Sequence, residues 1–152
     1  MQSNACPTAN HPTRRRPVPG SPRGPQLDTP ACILLIDDDA PTLRALSASL
    51  SPLFTVQRAR SFREGAAWLR SERVWRAVIT DLDLGDEHGR TGIDLLELAR
   101  FEAPVALRVL ISASCPELLE PAELVFSKPW PPDLPQRILA AMARKSTGER
   151  RD

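Results

Sequence analysis

Cysteine is scarce and unpaired in this chain. Cys6, Cys32 and Cys115 are an odd number with no paired spacing, which excludes a disulfide framework and a cysteine-based zinc site. Thiols in a reducing compartment remain, and the protein reads as cytoplasmic. No apolar stretch approaches the length of a membrane span. A signal peptide is not expected either. Arg14 to Arg16 imitates its basic start, but Pro17-Val18-Pro19-Gly20 stands where an apolar segment is required. A strong overall charge is also lacking: the formal net charge is +1, so no global field draws in nucleic acid or a membrane surface.

What is present suits one domain. The chain has 152 residues, 41% of them hydrophobic, enough for a single core. Charge is uneven: residues 1–30 carry +3, and the rest sum to −2. The same thirty residues hold seven of the sixteen prolines and few large apolar groups. Such a stretch cannot offset the entropy of ordering, so a disordered tail is expected. Its four arginines, without a folded reader, give only weak, salt-sensitive contact with nucleic acid, and direct DNA binding is not expected.

The ordered part is organised around Val78-Ile79-Thr80-Asp81. This short β-branched run ends abruptly in an acid, the pattern of a strand buried on both faces of a parallel sheet. Cys32 to Ile36 is a second such run, ending in Asp37-Asp38-Asp39, and Asp39 with Pro41 reads as the cap and first turn of a helix. That helix carries Leu43, Leu46, Leu50 and Leu53 at three- and four-residue steps. Phe54-Thr55-Val56 is a short strand. Ser61 and Glu64 have the spacing of a capping box ahead of a helix with Phe62, Ala66 and Leu69 inward. The polar loop Gly85–Gly92 leads to a helix over 93–101, with Ile93, Leu96 and Ala99 inward. Val105–Ile111 and Leu124–Phe126 are the last strands. A final helix starts near Asp133, with Arg144 and Lys145 suited to its negative end, and residues 146–152 form a polar tail. Strands alternating with helices predict an α/β, doubly wound parallel sheet with helices on both faces.

The polar groups fall at the strand ends. Asp37 and Asp38 follow the first strand, Asp81 the third, Ser112 the fourth and Lys128 the fifth. Parallel strands put all these ends on one edge, where ligands of open α/β sheets bind. Three converging carboxylates call for a hard cation, and oxygen ligands with room for water suit Mg²⁺. Cation, hydroxyl and ammonium around one carboxylate form a phosphoryl-transfer site, with Asp81 as acceptor, Asp37 and Asp38 on the metal, and Ser112 and Lys128 donating to phosphoryl oxygens.

Ile33–Asp38, Val78–Asp81, Ile111-Ser112-Ala113 and Lys128-Pro129 together resemble the receiver domain of two-component response regulators, the CheY-like fold. The resemblance covers roughly residues 31–145. It implies a five-stranded sheet of order 2-1-3-4-5 and a histidine kinase or phosphotransfer protein as phosphoryl donor to Asp81. It also implies Mg²⁺ held by Asp37, Asp38, Asp81 and the backbone carbonyl of Asp83, Ser112 and Lys128 as the switching hydroxyl and the family lysine, and a cis bond before Pro129. Such a module accepts a phosphoryl group without being a turnover enzyme. With no second domain expected, output passes to a downstream effector protein. The alternative is a phosphorylation-independent adaptor with the same fold. A haloacid-dehalogenase-like phosphatase also uses a strand-end Asp-x-Asp, but its acidic pair comes late in the chain. The sequence departs from the family pattern in three places. Gly85 replaces a frequent Pro. Val125, with Phe126 beside it, holds the position of the switch aromatic. Only sixteen positions separate Ser112 from Lys128, so the fourth helix is expected to be short or missing.

Overall fold

The computed structural model describes residues 30–114 and 117–148. The tail expected over residues 1–30 lies outside them except for Pro30, as do Cys6 and Cys115; Cys32 is a free thiol. Five strands form one all-parallel sheet of order β2-β1-β3-β4-β5. They are β1 (Cys32–Ile36), β2 (Thr55–Ala59), β3 (Ala77–Asp81), β4 (Leu107–Ser112) and β5 (Leu124–Ser127). The helices are α1 (Ala40–Leu50), α2 (Phe62–Leu69), α3 (Gly92–Glu102) and α4 (Leu134–Gly148). Among the described residues none lies between β4 and β5, as the short spacing predicts. No described helix is long and apolar enough to cross a membrane.

Alternation along the strands divides the core in two. Leu34, Ile36, Val78 and Leu110 point toward α2 and α3; Ile33, Leu35, Ile79, Val109 and Ile111 point toward α1 and α4. Strands packed on both faces read as unbroken apolar runs, so β1 and β3 were plain in the sequence. β2 was not. Its expected span, Phe54–Val56, gives way to Thr55–Ala59, paired residue for residue with Cys32–Ile36. At the sheet edge one flank faces solvent, and Gln57 and Arg58 sit in a strand that composition disguises. Two other boundaries move: Leu53 lies past the end of α1, and Val105 is exposed ahead of β4. On α3, Leu96 and Ala99 are fully buried as expected and Leu95 joins them, whereas Ile93 is only partly buried.

Local chemistry sets the helix starts. Asp39 caps α1 by accepting from the Thr42 N–H at 3.1 Å. Ser61 accepts from the Glu64 N–H, but Glu64 reaches back to the Arg60 N–H at 2.8 Å, one residue before the partner a capping box uses. α3 has the complete box, between Thr91 and Asp94. At the other end of the chain, α4 runs through Gly148, past the expected start of the polar tail at 146. Lys145 is fixed by more than a helix dipole: its ammonium donates to both Glu123 oxygens, at 2.9 and 2.8 Å, and to the Ala106 carbonyl at 2.9 Å. Arg108 donates to the Pro121 carbonyl at 2.8 Å. Together these bonds strap the end of the β4–β5 connection to the sheet.

One contact seats α3 against the functional edge. The Gly92 N–H donates to the Leu82 carbonyl at 2.8 Å. A Cβ on Gly92 would stand 2.0 Å from the Asp81 carbonyl oxygen. Backbone cannot yield as a flexible side chain does, so Gly92→Ala must push α3 away from the end of β3. We predict a stability loss of at least about 2 kcal/mol in urea unfolding, within or beyond the range for overpacked cores.

Candidate functional site

The polar ends of β1, β3 and β5 converge as the topology requires. Asp37, Asp38 and Asp81 each bring a carboxylate oxygen within 4.8 Å of those of the other two. The Lys128 ammonium, from the residue after β5, donates to Asp37 Oδ2 at 2.9 Å and lies 3.2 Å from Asp81 Oδ2. Asp37 is 1% exposed. Its second oxygen accepts from the Asp39 N–H at 2.9 Å, and its own N–H donates to the Ala59 carbonyl of β2. Asp81 Oδ1 accepts from the Leu82 N–H at 2.9 Å. Asp38 is exposed at the mouth of the cluster.

Burial and crowding set the charges. Burial pushes the Asp81 carboxyl up from its ordinary range; the Lys128 charge pulls it partly back, and Asp37 pushes it up further. Asp38 is raised by burial and then by its neighbour Asp37. Burial works against the charged form of Lys128, but the hydrogen bond and charge of Asp37, with those of Asp81, outweigh it and raise the ammonium's pKa. Two carboxyls held above their usual range beside a buried third carboxylate are a donor set that a divalent cation would relieve.

The remaining predicted residues lie around this cluster. Ser112 is buried at the end of β4; its Oγ accepts from the Ser114 N–H at 3.2 Å and makes no hydrogen bond to Lys128 or Asp81. Its carbonyl accepts from the Lys128 N–H at 3.1 Å, so hydroxyl and ammonium share one rim. The Asp83 carboxylate stands outside the three-carboxylate cluster and accepts from the Gly85 N–H at 3.1 Å, though its charge still acts on Asp38. Gly85 has φ +59°, and a Cβ there would lie 3.0 Å from Asp38 Oδ2. A glycine therefore suits the position where the family pattern has Pro, since the loop turns left-handed against the acids. The Lys128–Pro129 bond is cis, as the resemblance implies. Val125 packs toward the α2–α3 face and Phe126 toward the α1–α4 face, so the two neighbours serve opposite cores.

Sequence reading missed how the β3–α3 loop is held. Asp86 accepts from the backbone N–H groups of His88 and Arg90 and from the Arg90 guanidinium at 3.0 and 3.1 Å. The guanidinium lies over the Phe62 ring, 4.2 Å from its centre. The Arg90 hydrogen bond holds the Asp86 carboxyl down to about 2. Only the i, i+4 spacing hinted at the pair; the ring comes from a distant helix.

Two measurements follow. Lys128→Met strands the buried Asp37 carboxylate without a counter-charge and should cost about 3 kcal/mol in urea unfolding at neutral pH. Asp38 has a folded pKa above its ordinary 3.8, so its ionisation disfavours the folded state once pH exceeds both values. Asp38→Asn should therefore raise the melting temperature of metal-free protein at neutral pH. That gain should fade as pH falls toward 3.8, where wild-type Asp38 is itself protonated.

No protein-family model and no curated protein matches the chain. Solved structures do. A response regulator receiver domain protein from Methanospirillum hungatei superposes with a TM-score of 0.69 at 23% identity, covering 78% of this chain and 98% of that one. The signal receiver domain of an HD domain-containing protein from Pseudomonas fluorescens gives 0.70 at 24%, over 86% and 99%. A receiver domain protein from Clostridium thermocellum gives 0.68 at 25%, over 77% and 98%. With the strand order, the converging acids and the lysine in place, the fold of this chain is that of a CheY-like response regulator receiver domain.

Proposed function

We propose that this chain accepts a phosphoryl group on Asp81 from the phosphohistidine of a histidine kinase or phosphotransfer protein, and signals to a downstream effector protein in the cytoplasm. The observation that carries this reading is one ammonium, Lys128, set between Asp37 and Asp81 within a cluster of three carboxylates. The Asp81 carboxylate attacks phosphorus. The phosphorus–nitrogen bond of the donor breaks, and its electron pair leaves with the imidazole, which takes a proton from solvent. Mg²⁺ fits the acidic set, held by Asp37, Asp38 and the Asp83 carbonyl, and would neutralise phosphoryl oxygens as charge builds on them. Lys128, already facing Asp81, pairs with another of those oxygens. Ser112 accepts from Ser114, which leaves its own proton free to donate to the phosphoryl group. The product carries about two negative charges where the carboxylate carried one, on a half-buried side chain, and the loops after β3 and β4 respond. The protein is modified once per signal and is not a turnover enzyme.

The short β4–β5 connection, with no helix among its described residues, favours a second reading, an adaptor that uses the fold without phosphorylation. One pair of experiments separates the two. Wild type incubated with a small phosphodonor and Mg²⁺ should become labelled, and Asp81→Asn should not. Mg²⁺ at about 100 times its dissociation constant should stabilise wild type by about 2.7 kcal/mol, and Asp38→Asn much less. Equal labelling of wild type and Asp81→Asn would end the Asp81 assignment, whereas absence of both labelling and a Mg²⁺ response would favour the adaptor.

A further inference from the structure

We propose that the groove along the outer edge of β2 docks a short, extended, acidic segment of a partner protein. Charge in the folded region is segregated. Residues 40–76, which build α1, β2 and α2, hold seven arginines against two glutamates; residues 77–123 hold three arginines against ten acids. The basic half contains a groove of about 540 Å³ between α1, β2 and the start of α2. Leu43 and Val56 give it an apolar floor, and Arg44, Arg58 and Arg60 line it. All three arginines are exposed, and among the described residues none has an ion pair. The one acid lining the groove, Glu64, accepts from the Arg60 backbone N–H.

The strand itself favours a polypeptide. β2 is an edge, and its inward groups are fixed: the Thr55 N–H donates to Ala31, and the Ala59 carbonyl accepts from Asp37. In a parallel ladder alternate residues face opposite ways, so the backbone N–H groups of Val56 and Arg58 point away from the sheet. A peptide adding as a strand would use those donors while its acidic side chains meet the arginines. Nucleic acid cannot use an open strand edge in that way, and the acidic half of the molecule repels a long polyanion. Ala40, which also lines the groove, follows directly on Asp37–Asp39, so a docked segment lies next to the acidic cluster. The inference does not depend on Asp81 accepting phosphate.

The test uses the full chain, free of metal, and a short peptide alternating Glu and Val, followed by amide chemical shifts. Binding should perturb Val56–Arg60 and Arg44, leave β4 and β5 unmoved, and weaken with salt. The triple variant Arg44→Gln, Arg58→Gln, Arg60→Gln, checked for an unchanged melting temperature, should bind about tenfold more weakly. A peptide with each Glu replaced by Gln should lose a similar amount. Equal binding of the Gln peptide, retained affinity in the triple variant, or tighter binding of single-stranded DNA of matched charge would each overturn the proposal. So would shifts at β2 that grow with protein concentration alone, since the groove would then receive a second copy of this chain.

Discussion

The ammonium of Lys128 holds the carboxylates of Asp37 and Asp81 from opposite sides, and the functional edge of the sheet depends on that bridge. Asp37 is almost wholly out of water, so its charge is tolerable only with a cation beside it and a backbone donor on its other oxygen. The three bridged residues come from β1, β3 and β5, which fixes their strand ends level with one another. Asp38, exposed and crowded by acids with no ammonium bonded to it, is a group that a further positive charge would relieve.

The same economy appears at the opposite end of the sheet. There Glu123 collects Lys145 and Arg108, and the Pro121 carbonyl takes the guanidinium of Arg108. These bonds tie the start of β5 to β4 and to α4, and satisfy polar groups that would otherwise lie bare. A polar strap costs few residues, and the connection between Ser112 and Lys128 is correspondingly short.

Legibility in the sequence tracked burial. β1 and β3, covered on both faces, announced themselves by unbroken apolar runs, and the acids after them named the site. β2 was misplaced because an edge strand need satisfy only one neighbour, and its Gln57 and Arg58 look like loop. The Asp37–Lys128 bridge was legible as a convergence but not as a contact, since ninety-one positions separate the two residues and only the register of the sheet joins them. The clasp of Asp86, Arg90 and Phe62 was invisible for a related reason: a cation over a ring leaves no periodicity behind. Trp75, fully buried, with its indole N–H on the Trp68 carbonyl at 3.0 Å, filled a place in the core that strand and helix patterns passed over.

Gly92 leaves no slack between α3 and the carbonyl of Asp81. A helix seated that tightly behaves as a strut whose foot rests on the peptide group of Asp81. Whatever tilts that peptide tilts the whole rod, and the displacement grows with distance along its three turns. The far end of α3, where Phe101 stands 78% exposed, is therefore where the smallest rearrangement at the acids would be seen most enlarged from outside.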